Sequence, residues 1–190
     1  MQEKRTFDTR TIAVIGVLAA MVFAMTYVGI DIPSPLGKCK IHFGNIMCIL
    51  SGLLFGPVTG GLAAGIGSAL FDLTDPSWAP EFWITFINKF AMGCVAGLVY
   101  RRLTVVGPQN RTWISALCGS LTYSFLYISK NILSGHFING FTWQTAIWET
   151  GIVKLPVTLV NGVLAVVCAS LLCLALRPAL RRAHVLTGMA

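Results

Sequence analysis

Amide, ammonium, carboxylate and aromatic groups recur within apolar stretches of this chain. A charge at the centre of a membrane costs about 2.5–3.5 kcal/mol on the insertion scale, so such groups are rarely without a role there. Together they supply ring-stacking surfaces with hydrogen-bond donors and acceptors, which is the chemistry that holds a compact, polar, aromatic ligand. The residues predicted to bind such a ligand are Asn45, Asn88, Lys89, Tyr123, Tyr127, Lys130, Asn131, Trp148, Glu149 and Lys154.

Helical spacing groups several of these side chains. Thr85, Asn88 and Lys89 lie at i, i+3 and i+4, and Tyr123 and Tyr127 lie at i and i+4. Structural alternatives stay open for individual residues. A tryptophan near a span end is commonly an interfacial anchor, a lysine there can extend to the surface, and Glu149 and Lys154 could form a structural pair. Asp72 and Asp75 are interpreted as the end of a helix and its turn.

Other kinds of chemistry are disfavoured. His42, His136 and His184 lack metal-ligand spacing, so neither a metal nor a cofactor is predicted. The carboxylates are separated from one another and no nucleophile is clustered with a base, which argues against an enzyme. The net charge is +7, but the basic residues are not interleaved with aromatic residues on one face, as they are in many nucleic-acid-binding surfaces. No nucleic-acid partner is therefore predicted.

The composition places these groups in a membrane protein. Of 190 residues, 55% are hydrophobic and only 11% are charged, with a mean hydropathy of +0.75. Soluble domains carry about 25% charged residues. Lipid can solvate the apolar surface that water cannot, so an all-α integral membrane protein of one domain is expected.

Apolar runs bounded by loop residues predict six spanning helices. They are expected at 11–30, 42–55, 58–73, 82–100, 113–133 and 146–176, with Pro156 distorting the last. Residues 1–10 are interpreted as a cytoplasmic leader, 31–40 as a loop able to act as a lid, and 177–190 as a cytoplasmic tail. Every arginine falls in a segment assigned to the inside, which predicts that both termini are cytoplasmic.

Small residues recur every four positions in several spans. In lipid, close helix contact depends on such residues, because no hydrophobic force drives helices together. The third span carries two small faces side by side, and the first carries Gly16, Ala20 and Ala24. One of these faces is predicted to dock a protein outside this chain.

The segments LLFGPVTGGLAAGIGSALFDL and NKFAMGCVAGLVYRR resemble the substrate-binding S components of energy-coupling factor (ECF) vitamin importers. The resemblance covers roughly residues 11–176. It implies a six-helix bundle of the S-component type and a partner face at Ala20 and Ala24. It also implies a transmembrane coupling subunit and two ATPases as partners, in the cytoplasmic membrane of a prokaryote.

The resulting hypothesis is a binding subunit that captures a vitamin-like micronutrient from outside. The chain lacks the GxxxxGK[ST] phosphate loop, so energy for uptake must come from a partner or an ion gradient. A self-sufficient secondary transporter or channel, and a membrane-embedded enzyme, are the alternatives. The pattern of the fourth span leans towards riboflavin-like, pyridine or pyrimidine vitamins and related nucleobases, while pantothenate, cobalamin and queuosine precursors stay open.

Overall fold

The computed structural model describes residues 8–34 and 37–185. The first seven residues of the predicted leader, the last five residues of the predicted tail and two residues of the predicted lid therefore lie outside the described residues. The helices are α1 (Thr9–Tyr27), α2 (Gly44–Phe55), α3 (Pro57–Asp72), α4 (Phe82–Arg102), α5 (Pro108–Phe137), α6 (Trp143–Glu149) and α7 (Leu155–Arg182). A π-helical turn, Thr150–Lys154, joins α6 to α7, so these two form the sixth helix of the bundle.

Each predicted span coincides with a helix, and the six-helix fold expected from the sequence is confirmed. Three helical segments within the described residues are long and apolar enough to cross a membrane: Thr9–Tyr27, Ala79–Arg102 and Trp143–Arg182. Helices α2 and α3 are shorter, with 12 and 16 residues, and α5 is longer than predicted, with 30. The outer surface is apolar, as lipid contact requires.

Helix α2 forms the centre of the bundle, with eleven of its twelve residues buried. It is joined to α3 by Gly56, whose φ of 88° lies in the left-handed region that favours glycine. Pro57 then begins α3 at a position where a missing N–H is tolerated. This two-residue reversal places α2 and α3 side by side.

The small residues of α3 serve contacts inside the chain. A Cβ added to Gly60 would collide with the backbone of Gly52 on α2. A Cβ added to Gly52 would in turn collide with the carbonyl group of Gly93 on α4. Glycine is therefore required where these three backbones touch, and both small faces of α3 are used within the bundle.

The segment predicted as a loop at 31–40 is instead part of a β-hairpin. Strands β1 (Gly29–Ser34) and β2 (Gly37–His42) pair antiparallel, with Ile32 opposite Cys39. The two prolines and the glycine suggested a loop, but a two-stranded hairpin has only edge strands, where proline is tolerated. Cys39 points inward and is buried.

Pro156 distorts the sixth helix through a π turn and not through a simple kink. It is the second residue of α7, directly after the π turn. Proline has no backbone N–H, and the wider hydrogen bonding of a π turn accommodates that loss. The helix continues to Arg182, past the predicted end at Leu176.

The two described chain ends meet at one end of the bundle. A guanidinium nitrogen of Arg10, at the start of α1, donates to the carbonyl oxygen of His184 at 2.6 Å. An even number of helices returns the chain to the side where it began. That this side is cytoplasmic remains a prediction from the arginine distribution.

Candidate functional site

A cavity lies at the opposite end of the bundle from the chain ends, beside strand β2. It is surrounded by helices α1, α3, α4, α5 and α7. The ends of these helices that lie away from the chain ends supply its polar and aromatic side chains. It is lined by Thr26, Lys40, His42, Ser68, Phe71, Asp72, Trp78, Glu81, Ile84, Thr85, Asn88, Lys89, Tyr123, Tyr127, Lys130, Val157, Thr158 and Asn161.

Lys89 carries a positive charge to the innermost part of this cavity. Its side chain comes from α4 and the residue is only 3% exposed. The Lys89 ammonium group donates a hydrogen bond to the side-chain oxygen of Asn45 on α2. It also lies 3.9 Å from the centre of the Tyr123 ring, within the range of a cation–π interaction. Asn45 and Tyr123 thus fix the ammonium group, whose remaining donors can face a ligand.

The α3–α4 side of the cavity carries two carboxylates. Asp72, at the end of α3, is buried and hydrogen-bonds the side chain of Thr85. Glu81 pairs with Lys130 of α5, and this ion pair lies where the side chains are partly exposed. The cavity therefore presents charges of both signs, which suits a ligand that has both donors and acceptors.

Asn161 of α7 fastens strand β2 to the bundle. Its side-chain nitrogen donates to the carbonyl oxygen of Lys40 at 2.7 Å, and its side-chain oxygen accepts from the N–H of His42 at 3.0 Å. The hairpin is also tied to the α3–α4 connection by an ion pair between Lys38 and Asp75, 3.3 Å apart. The backbone N–H of Ser77 donates to the carboxylate of Asp75, which with Lys38 lowers the pKa of that group.

A second polar group lies behind the cavity wall. The Lys154 ammonium, in the π turn, donates to the side-chain oxygen of Asn131 at 2.5 Å. The side-chain nitrogen of Asn131 donates to the carbonyl oxygen of Tyr127 at 2.8 Å. Both polar side chains are buried, so they support the wall that Tyr127 forms rather than line the cavity.

The sequence-predicted residues fall into three groups. Five line the cavity: Asn88, Lys89, Tyr123, Tyr127 and Lys130. Three lie directly behind the lining, in contact with it or with one another: Asn45, Asn131 and Lys154. Two do not reach it: Trp148 and Glu149.

Trp148 and Glu149 lie in the last turn of α6, directly before the π turn. Trp148 is 62% exposed, Glu149 is partly exposed, and neither residue lines the cavity. The exposure of Trp148 agrees with the alternative that it is an interfacial anchor.

Sequence reasoning missed the contributions of α1, α3 and α7. Ser68 and Asp72 of α3 are spaced i and i+4, and Thr158 and Asn161 of α7 are spaced i and i+3. Both spacings mark polar positions on one helix face and could have been noticed. The side chain of Asn161 bonds strand β2 and not a neighbouring helix.

The small face of α1 lies on the outside of the molecule. Gly16, Ala20 and Ala24 are exposed, and a Cβ added to Gly16 would meet nothing within 4 Å. The buried face of the same helix carries Leu18 and Val22 instead. The α1 face therefore differs from the small faces of α3, which are used inside the bundle.

Comparisons with known proteins agree with this arrangement. Residues 6–178 match the family model described as "ECF-type riboflavin transporter, S component". A solved structure, reported under "Structure and mechanism of the S component of a bacterial ECF transporter", superposes with a TM-score of 0.64 at 19% identity. The match covers 91% of this chain and 98% of that one, and it shows the fold.

Two curated relatives match shorter segments. An "uncharacterized protein in gap 3'region" of Pyrococcus woesei is 35% identical over 101 residues, which is 53% of this chain and 64% of that protein. A "UPF0397 protein" of Lactiplantibacillus plantarum is 32% identical over 120 residues, or 60% of this chain and 62% of that protein. The matched segments thus span less than two thirds of either relative.

The family and the fold are those of a membrane-embedded transporter component and not of an enzyme. The family model covers nearly the whole chain, the same fold is found in a solved S component, and the end of the bundle opposite the chain ends holds a polar, aromatic cavity. The chain belongs to the family of ECF-type riboflavin transporter S components.

Proposed function

We propose that this chain captures riboflavin, or a closely similar flat heteroaromatic vitamin, outside the cell and passes it to partner subunits for import. It acts in the cytoplasmic membrane of a prokaryote, with both termini inside. Membership of the family supports a substrate-binding role, and the family's name makes riboflavin the first candidate ligand.

The lining of the cavity is the observation that carries this proposal. Tyr123, Phe71 and Trp78 offer faces on which a ring can stack. Asn88 offers an amide donor and acceptor, and Lys89 offers a desolvated ammonium group. A flat ring system edged with carbonyl oxygens and ring nitrogens uses both kinds of contact.

The β-hairpin is proposed to move when the ligand enters. The cavity volume is about 70 Å³, whereas sites for ligands of this size occupy roughly 300–1,000 Å³. The cavity must therefore widen. The side chain of Asn161 and the Lys38–Asp75 ion pair join the hairpin to the helices, and the proposed movement breaks these contacts.

Energy for uptake is proposed to come from a transmembrane coupling subunit with two ATPases. The chain has no phosphate loop of its own. The exposed face of Gly16, Ala20 and Ala24 is the proposed contact with the coupling subunit, because small residues permit close helix approach in lipid. Membrane lipid covers the remaining apolar surface.

Equilibrium binding to the purified protein tests the ligand. Riboflavin fluorescence should be quenched saturably, with one ligand per chain, when the ring stacks on the aromatic wall. Thiamine, pyridoxine, pantothenate and cobalamin at the same concentration should leave that signal unchanged and should not compete.

Mass spectrometry of small molecules that co-purify with the protein gives an independent answer. Riboflavin or another flavin should be recovered in proportion to the protein. Recovery of a different compound, together with an absence of riboflavin quenching, would overturn the proposed ligand. Uptake by the isolated chain in ATP-free vesicles with an ion gradient would overturn the dependence on partners.

A further inference from the structure

The described arginines gather at the end of the bundle that lies opposite the cavity. They occur at the start of α1, at the end of α4, at the start of α5 and in the last turns of α7. Within residues 8–34 and 37–185, the only carboxylate at this end is that of Asp8. The positive charge of this end is therefore largely uncompensated within the described chain.

Two of these arginines flank one buried tyrosine. The guanidinium carbons of Arg111 and Arg177 lie 4.0 and 4.1 Å from the centre of the Tyr100 ring. Tyr100 is only 6% exposed. The two cations are consequently no more than about 8 Å apart and repel each other at the edge of a low-dielectric interior.

Each of the two guanidinium groups also binds the end of a helix. Arg111 donates to the carbonyl oxygen of Tyr100, in the last turn of α4, and Arg177 donates to that of Leu53, in the last turn of α2. These bonds satisfy carbonyl groups that have no partner within their own helix. They orient the two side chains but do not neutralise their charges.

Donor groups are left over after these bonds are made. A guanidinium group has five N–H donors. No carboxylate within the part of the chain that the structure describes forms an ion pair with Arg111 or Arg177. The Nε atom of Arg177 is buried and has no hydrogen-bond acceptor among the described residues, although the Cys173 thiol lies beside this guanidinium group. An anion bound at the edge of the Tyr100 ring, within reach of N–H groups of both side chains, would supply acceptors and reduce their repulsion.

We infer that Arg111 and Arg177 form a binding site for the phosphate group of an anionic phospholipid. Planar guanidinium groups match phosphate oxygens in a bidentate manner. Ile114 and Leu176, within one turn of the two arginines, are each 41% exposed and provide apolar surface for acyl chains. Head-group phosphates lie at the level of the helix ends, where this pair is located.

The test is a lipid titration of the detergent-purified full-length chain. Short-chain phosphatidylglycerol is added, and the affinity is read from the rise in Tm. Arg111→Gln/Arg177→Gln should weaken binding about tenfold or more. Arg181→Gln/Arg182→Gln removes the same charge from two exposed positions on the same end and should weaken binding less than about threefold.

Phosphatidylcholine and inorganic phosphate separate the sources of the anion. Phosphatidylcholine should give a much smaller rise in Tm, because its positively charged choline group cancels the negative charge of the phosphate and would be repelled by the arginines. An equal rise in Tm with inorganic phosphate alone would mean that the site binds a free anion, and the assignment to a phospholipid would be wrong. Equal losses in the two double variants would reduce the effect to general charge attraction and overturn the site.

Arg111→Lys provides a second variant in case the double substitution does not fold. It keeps the charge but removes the planar fork, so it should lose affinity for phosphatidylglycerol by at least about threefold. Undiminished affinity in this variant would contradict a phosphate held by paired guanidinium groups. Riboflavin binding, measured in parallel, should be unchanged because the cavity lies at the other end.

Discussion

Replacing Lys89 with methionine is expected to weaken ligand binding strongly while leaving the fold intact. Methionine keeps the length of the side chain and its contact with the Tyr123 ring, but removes the ammonium group. Lys89 is buried at the inner end of the cavity, so a ligand that fills the cavity contacts this group without intervening water.

The size of the effect follows from that burial. A hydrogen bond to a charged, desolvated group contributes about 1.5–3 kcal/mol. At 1.4 kcal/mol for each factor of ten, Lys89→Met should raise the Kd for riboflavin by roughly 10–150-fold. Stability should change less, because the cost of burying the ammonium group is removed together with its hydrogen bond to the Asn45 oxygen.

Riboflavin quenching gives the Kd, and thermal unfolding in detergent gives the stability. Lys130→Met is the matched control, since it also removes a lysine charge from the cavity. Lys130 is paired with Glu81 and its side chain is partly exposed. The Lys130 ammonium group is already engaged by Glu81 and partly screened by water, so a ligand should gain at most about 1 kcal/mol from it and the control should weaken binding by less than about fivefold.

A second variant separates binding from stability. In Asn45→Leu/Lys89→Met neither partner of the buried hydrogen bond remains, so no polar group is left unsatisfied. Its Tm should equal or exceed that of Lys89→Met, while its affinity for riboflavin stays low. If Lys89→Met kept its Kd within threefold of the original protein, or if Lys130→Met had the larger effect, the assignment of Lys89 to the ligand would be wrong.

Ala24→Leu should block uptake in membranes that contain the partner subunits and leave riboflavin binding by the purified chain unchanged, because it enlarges an exposed face of α1. Equal loss of uptake and binding would contradict the interface role. Gly52→Ala should lower the free energy of unfolding by about 1–3 kcal/mol, since the added Cβ would meet the backbone of α4. Gly16→Ala, with nothing within 4 Å, should leave it unchanged or raise it by up to about 1 kcal/mol; similar Tm values for the two variants would disprove this difference. Asp75→Asn should speed riboflavin release by up to about fivefold, since the exposed ion pair with Lys38 holds the hairpin closed. The pKa of Asp75 lies below its ordinary value, so this pair persists from pH 7 to pH 5 and is lost only as the pH falls through that lowered pKa; release that accelerates between pH 7 and pH 5 would point to a different contact.

Local sequence patterns were enough to locate the helices. Apolar runs of membrane length, one of them ended by Gly56-Pro57, mark boundaries that the structure reproduces within about six residues. The hairpin was the exception. Its strands, Gly29–Ser34 and Gly37–His42, are neighbours in the sequence, but the two prolines and the glycine in this segment favoured a loop, although edge strands tolerate proline.

Regular helical spacing also found much of the cavity. Asn88 and Lys89, and Tyr123 with Tyr127, lie on unbroken helices, so residues predicted to share a face do share it. Trp148 and Glu149 were predicted from their position near the beginning of the sixth span and not from a shared helical face, and neither lines the cavity. The π turn at Thr150–Lys154 also left no local signal, because it depends on how the protein around Pro156 satisfies the lost backbone donor.

The sequence alone determined that this chain is a helical membrane protein, because hydropathy and backbone hydrogen bonding are properties of each segment by itself. Only the tertiary structure decided which small-residue face is buried and which is exposed. The small residues of α3 and those of α1 have the same spacing. They differ because α3 packs against α2 and α4, whereas the small face of α1 is exposed on the outside of the bundle.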